Sequence, residues 1–189
     1  MNLLEMSTAE LIESARSEED FDVRWSYVAQ LHNRGNSEVF DAARRLIESF
    51  DPNAIELAAD ILGQLGGEEK PYCAESVQLL IKVLDSTLRV AQAEDEILAM
   101  SAALNALGRM KTAESREKVL EFVKHPSEIV RFNVTHGLLC IDDDEEIKAL
   151  IELSADPDVD VRNWATFGLG SMTALDSAAI RDALFARIS

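Results

Sequence analysis

Three histidines (His32, His125 and His136), two cysteines (Cys73 and Cys140) and a dense population of carboxylates are the side chains of this sequence able to do chemistry. A zinc site needs about four converging nitrogen or sulfur ligands. His136 and Cys140, four apart, would share one helix face, but two ligands do not make a site, and no HExxH pattern occurs. The run Asp156-x-Asp158-x-Asp160 begins like a calcium loop. Its sixth place is Val161, where glycine is needed for the turn, and its twelfth is Phe167, where a bidentate glutamate is needed. These acids therefore read as helix caps in a polar loop. There is no GxSxG, no phosphate-binding glycine loop and no GxGxxG, and no carboxylate pair is marked by its context as acid and base. No catalytic residue, metal ligand set or cofactor is expected.

The elements that carry these residues are helices. Gly and Pro are scarce, at 8 and 4 residues, and only 6% of the chain is aromatic, so the apolar 47% is mostly Ala, Leu, Ile and Val. That composition favours helix over strand. Acidic residues number 35 against 18 basic, a formal net charge of -17. Nucleic-acid affinity comes mainly from Lys and Arg displacing counterions, so a nucleic-acid partner is not expected. The acidity reads either as solubility or as long-range attraction for a basic partner. Cys73 and Cys140 lie among apolar neighbours and are expected to be buried free thiols, which suits a reducing compartment. The first residues, MNLLEMSTAELIESA, have no basic start and no long apolar run. They predict neither a signal peptide nor a membrane span, and a cytoplasmic protein.

A repeat organises the chain. Val161-Arg162, with Thr166, Gly168 and Leu169, is matched 31 residues earlier by Val130-Arg131, with Thr135, Gly137 and Leu138. Further starts fall at Ala99, Ala54 and Val23-Arg24, so the intervals are 31, 45, 31 and 31, with 14 residues inserted in the longer one. Each period predicts two helices, the second ones near 23–34, 54–66, 96–110, 129–141 and 161–172. First helices are expected over Thr8 to Arg16, Ser37 to Phe50, Pro71 to about Leu84 and Ser115 to Lys124, with a further one entered through the acidic run 142–146. Asp51-Pro52 and Asp156-Pro157 mark turns. Ser177 to Ile188 has no partner helix after it and is expected to cap the array. The inserted residues are placed around 85–96, either as two longer helices with a longer turn or as a protruding loop that touches a partner. The acidic run 142–146 is either a solvated first turn or a contact for a basic partner. The expectation is one domain, residues 1–189: an all-α solenoid of about five helical hairpins with a capping helix.

The fragments His125 to Leu139 (HPSEIVRFNVTHGLL) and Asp156 to Met172 (DPDVDVRNWATFGLGSM) resemble HEAT-like repeats of the short type known from phycobilin lyases. The likeness is strongest in the last two periods and at Val23-Arg24, and weaker at Ala54 and Ala99, where Val-Arg is missing. It implies that Arg24, Arg131 and Arg162 tie neighbouring repeats through acidic loop residues such as Asp156. Ile55 and Met100 stand in the equivalent places and must rely on apolar packing. The resemblance implies an architecture and a habit of binding proteins, while fold alone does not set function. Nothing in the sequence identifies a chromophore site.

In such arrays the second helices line the concave face. With Val161, Ala165 and Leu169 buried, the third and seventh places of each period, with the tenth and eleventh, form the exposed stripe. These are Trp25 in the first, Glu56 and Asp60 in the second, Ser101 and Asn105 in the third, Phe132 and His136 in the fourth, and Asn163 and Phe167 in the fifth. Aromatic residues in a polar groove have the character of binding hot spots; the alternative is that Trp25, Phe132 and Phe167 pack between helices. Trp164 is expected in the core. The sequence thus predicts a non-catalytic protein-binding scaffold or adaptor gripping another protein on its concave face, and the acidity suits a basic partner. The alternatives are an acidic inhibitor, immunity- or antitoxin-like, of a basic effector, and a lyase-like enzyme or accessory subunit.

Overall fold

A computed structural model describes residues 2–86, 92–140 and 143–188. Among them are eleven α-helices and no strand. They are α1 (Thr8–Ser17), α2 (Phe21–Arg34), α3 (Ser37–Ile47), α4 (Pro52–Gly63), α5 (Cys73–Ser86), α6 (Glu94–Met110), α7 (Ala113–Leu120), α8 (Glu128–Gly137), α9 (Asp144–Leu153), α10 (Val159–Phe167) and α11 (Ala178–Ile188). The chain is an all-α solenoid of helical hairpins.

Local chemistry sets the helix starts. Ser7 and Glu10 form a reciprocal box at α1: Glu10 N–H donates to Ser7 Oγ at 3.2 Å, and Ser7 N–H donates to Glu10 Oε2 at 2.7 Å. Asp20, Asn36, Asp51, Thr112 and Asp158 cap α2, α3, α4, α7 and α10 with their side-chain oxygens. Pro52 follows Asp51 at the first helical position, where a missing N–H costs nothing. Asp158 thus serves as a cap, accepting the N–H groups of Asp160 and Val161, each at 3.0 Å.

The second helices α2, α4, α6, α8 and α10 pack side by side in one layer, and α1, α3, α5 and α7 form another beneath it. Leu31, Ile55, Ile61, Met100, Leu104, Leu107 and Leu138 are fully buried between the layers. The seam between α6 and α8 is a close backbone approach. A Cβ on Gly108 would lie 2.3 Å from the Gly137 Cα, so only two glycines allow these backbones to meet. At the other end, Gly35 ends α2 in the left-handed conformation (φ 55°), and Gly66 N–H donates to His32 O at 3.0 Å, joining the α2–α3 turn to the loop after α4. The last helix α11 packs on α9 and on the π-helical turn 168–172, burying Ile180.

Several expectations are corrected. Cys140 is exposed and Cys73 half-buried. The helix expected near 129–141 stops at Gly137, and Cys140 takes a left-handed conformation (φ 59°), which turns it off the helix face that carries His136. Much of the insertion precedes 85–96: residues 64–72 join α4 to α5, where residues 35–36 suffice between α2 and α3. The remainder lengthens α5 and α6, and the part of the expected loop at 87–91 lies outside the described residues. In the acidic run, Asp142 is also outside them, and Asp143, Asp144 and Glu145 are exposed. Glu146 instead turns inward, 4% exposed, with Arg116 Nε at 3.7 Å from its carboxylate.

Candidate functional site

The layer of second helices presents one continuous face, charged at its first end and aromatic at its last. At the first end Arg24 on α2 reaches across to α4, with its Nη2 2.9 Å from Asp60 Oδ2 and 3.4 Å from Glu56 Oε1. It pairs with helix acids rather than the loop acids expected. His32 Nε2 lies 2.9 Å from the Asp60 carbonyl oxygen and, donating a proton to it, tethers α2 to α4 a second time. Trp25 packs partly buried between Phe21 and His32, with ring centroids at 6.0 and 6.3 Å, and its Nε1 is buried without an acceptor among the described residues.

Burial pushes the Asp60 carboxyl up to about 6, helped by the neighbouring Glu56 charge and only partly opposed by Arg24. Burial likewise holds His32 below its ordinary range, with Arg109 adding to the effect. The Asp60 value has a consequence for stability. The folded protein holds this proton up to about pH 6, whereas the unfolded chain releases it near pH 4. The stability it contributes is therefore full below about pH 4 and is lost as pH rises through 6. Urea unfolding at pH 4 and pH 8 should show the wild type losing up to about 3 kcal/mol relative to Asp60→Asn over that interval. A pH-independent difference between the two proteins would contradict this.

The middle of the face is polar. Arg109 Nε donates to Asn105 Oδ1 at 2.9 Å, and Asn105 Nδ2 donates to Asn133 Oδ1 at 3.4 Å, so side chains of α6 and α8 are linked. Ser101, expected on the exposed stripe, is 4% exposed, because α6 is covered on both flanks by α4 and α8.

The last end is aromatic. Phe132 and His136 on α8 approach with centroids at 4.4 Å, His136 and Trp164 of α10 at 4.5 Å, and Trp164 and Phe167 meet edge to face at 5.7 Å and 86°. Phe132 and His136 are half-buried, while Asn163, Trp164 and Phe167 line an open hollow of about 250 Å³. Trp164 is 39% and Phe167 46% exposed. Trp164 is thus a surface residue, not the core residue expected: its ring leans on His136 of α8 and on Phe167 at the rim of the second-helix face instead of entering the space between the layers. Trp25, Glu56, Asp60 and Asn105 fall on the first half of this face, and Phe132, His136, Asn163 and Phe167 on the second. Arg109 and Trp164 also lie on this face.

Beside the face, Asp156 is the hub of the last two repeats. Arg131 Nε and Nη2 donate to its two oxygens at 2.7 and 2.9 Å, and Arg131 Nη1 also donates to the carbonyls of His125 and Pro126. Arg162 is placed differently: its Nη1 donates to the main-chain carbonyls of Asp156 and Pro157, at 2.7 and 2.8 Å, within its own loop. Among the described residues no three His, Cys, Asp or Glu side chains converge as metal ligands, and no helix is long and apolar enough to cross a membrane.

Two overlapping stretches, residues 8–99 and 84–170, match the family model for HEAT repeats. No curated protein matches the chain significantly. Among solved structures, the chain is similar to a designed armadillo repeat protein in complex with the peptide (KR)4, at TM-score 0.54 and 14% identity, covering 96% of this chain and 87% of that one. It is also similar to an engineered protein from a structural genomics consortium, at TM-score 0.52 and 19% identity with the same coverage. At these identities the likeness is one of fold.

Proposed function

Since the chain belongs to the HEAT-repeat family, we propose that it is a non-catalytic scaffold whose second-helix face, the concave one in such arrays, holds a segment of another protein. The observation that carries this reading is the exposed aromatic run at the end of that face. Trp164 and Phe167 are large apolar rings kept in solvent around an open hollow, beside the polar side chains Asn163 and His136. Aromatic anchors within a polar surround are the residues that dominate binding energy at protein interfaces. Trp25, Glu56, Asp60, Asn105 and Phe132 extend the same surface toward the first repeat. The net charge of -17 favours a basic segment. The designed armadillo protein of similar fold is complexed with (KR)4. Two free cysteines suit a reducing compartment, and a cytoplasmic location is part of the proposal.

A second reading, an inhibitor of a basic effector protein, draws on the same charge. It differs in expecting a tight complex that weakens steeply with salt. Photo-cross-linking tests the scaffold reading: a photoreactive residue at Asn163, on the second-helix face, should capture a protein from cell extract. One at Glu117 on α7, in the opposite layer, should not.

A further inference from the structure

Resting on the scaffold reading, we propose that the corner between Trp164 and Phe167 is a subsite for an arginine side chain of the bound segment. In this subsite the guanidinium lies against the rings and Asp160 supplies its counter-charge.

Two indole and phenyl planes at 86° make a two-walled corner rather than a flat patch, and the hollow of about 250 Å³ opens beside them. Aromatic faces carry negative quadrupole density, and a planar guanidinium can lie along one wall while its edge meets the other. The polar groups are spaced to finish the site. Asp160, Asn163, Trp164 and Phe167 stand at i, i+3, i+4 and i+7 on α10, so they share one helix face. Asp160 is exposed and makes no ion pair among the described residues, and the Asn163 amide oxygen can accept from a guanidinium N–H. The nearest cation in sequence does not fill it, because Arg162 is turned into its own loop, bound to the carbonyls of Asp156 and Pro157. An apolar side chain would fit the rings alone, but it would use neither the Asn163 amide that lines the hollow nor the acidic character of the chain. The charge of the whole chain also selects against acidic segments.

The test uses the full chain and two labelled octapeptides, one alternating serine and arginine, the other with citrulline at each arginine. Citrulline keeps the shape of the side chain and removes its charge. Fluorescence anisotropy should show the arginine peptide binding roughly tenfold or more tighter than the citrulline peptide. Trp164→Leu, which keeps apolar bulk and removes the ring, should weaken the arginine peptide about tenfold and leave the citrulline peptide nearly unchanged. Asp160→Asn should weaken it roughly threefold and flatten its salt dependence. Phe167→Leu gives a second ring deletion, should Trp164→Leu melt early. The proposal is overturned if both peptides bind alike, if neither binds, or if the ring deletions leave arginine binding intact. In each of those cases cross-linking from Asn163 still decides the scaffold reading separately.

Discussion

Gly108→Ala is expected to cost about 2–3 kcal/mol and to lower the melting temperature by roughly 5–10 °C. The added methyl would sit 2.3 Å from the Gly137 Cα and 3.2 Å from its carbonyl carbon and oxygen. All three are backbone atoms that cannot rotate away. The methyl fits only if α6 and α8 move apart, and that opens a seam in the middle of the row, between the charged and aromatic halves of the face. Gly170→Ala is the matched control. Its methyl meets nothing nearer than Leu184, at 3.7 Å, so its effect should stay within about 0.5 kcal/mol. Thermal unfolding followed by circular dichroism measures both. Equal melting temperatures for the two variants would mean that the α6–α8 approach is looser than described.

The second large effect is at the hub of the last repeats. Asp156→Ala removes a carboxylate whose side chain is 6% exposed and which accepts two hydrogen bonds from Arg131, itself 11% exposed. Removing one partner of a buried pair strands the other charge, a loss of several kcal/mol. Arg131 keeps the carbonyls of His125 and Pro126, so the low end of that range, about 3 kcal/mol, is expected. The double variant with Arg131→Met should recover part of the loss, because the stranded cation is gone as well. The pair also leaves a signature in acid. Burial alone would raise the Asp156 carboxyl, but the hydrogen bonds from Arg131 and from the Asp158 N–H, with the arginine charge, outweigh it and hold the carboxyl below the ordinary range. Its folded value lies below its unfolded one, so the stability it contributes is present above about pH 4 and drains as pH falls through the folded value. Asp156→Ala should therefore show a shallower loss of stability below pH 4 than the wild type, and parallel acid profiles would contradict this.

Much of the architecture was legible because a helical seam demands the same residue types at the same places. Val130 and Val161, Val134 and Ala165, and Leu138 and Leu169 are all buried, and they repeat at the spacing that revealed the periods. What escaped depends on neighbours in space. Trp164 looks like a core residue until its ring is found on the outer face, against His136 of the neighbouring α8. Ser101 looks exposed until α6 is found covered on both sides. The ion pair of Lys118 with Asp85, at 2.6 Å, and the approach of Arg116 to Glu146 join first helices to their neighbours. Long flexible side chains leave no periodic trace in a sequence, so these were not foreseen. Cys140 was misplaced by three residues of helix length, which helix periodicity does not resolve.

Cross-linking from the second-helix face tests the central claim most directly. A photoreactive residue at Asn163 or at Glu117 would be irradiated in native cell extract, and the adducts mapped by mass spectrometry. The scaffold account predicts one protein captured from Asn163 and absent from Glu117, lost again when Trp164 and Phe167 are both changed to alanine in a variant of unchanged helicity. Capture from Glu117 alone, or capture from Asn163 that survives loss of both rings, would contradict it.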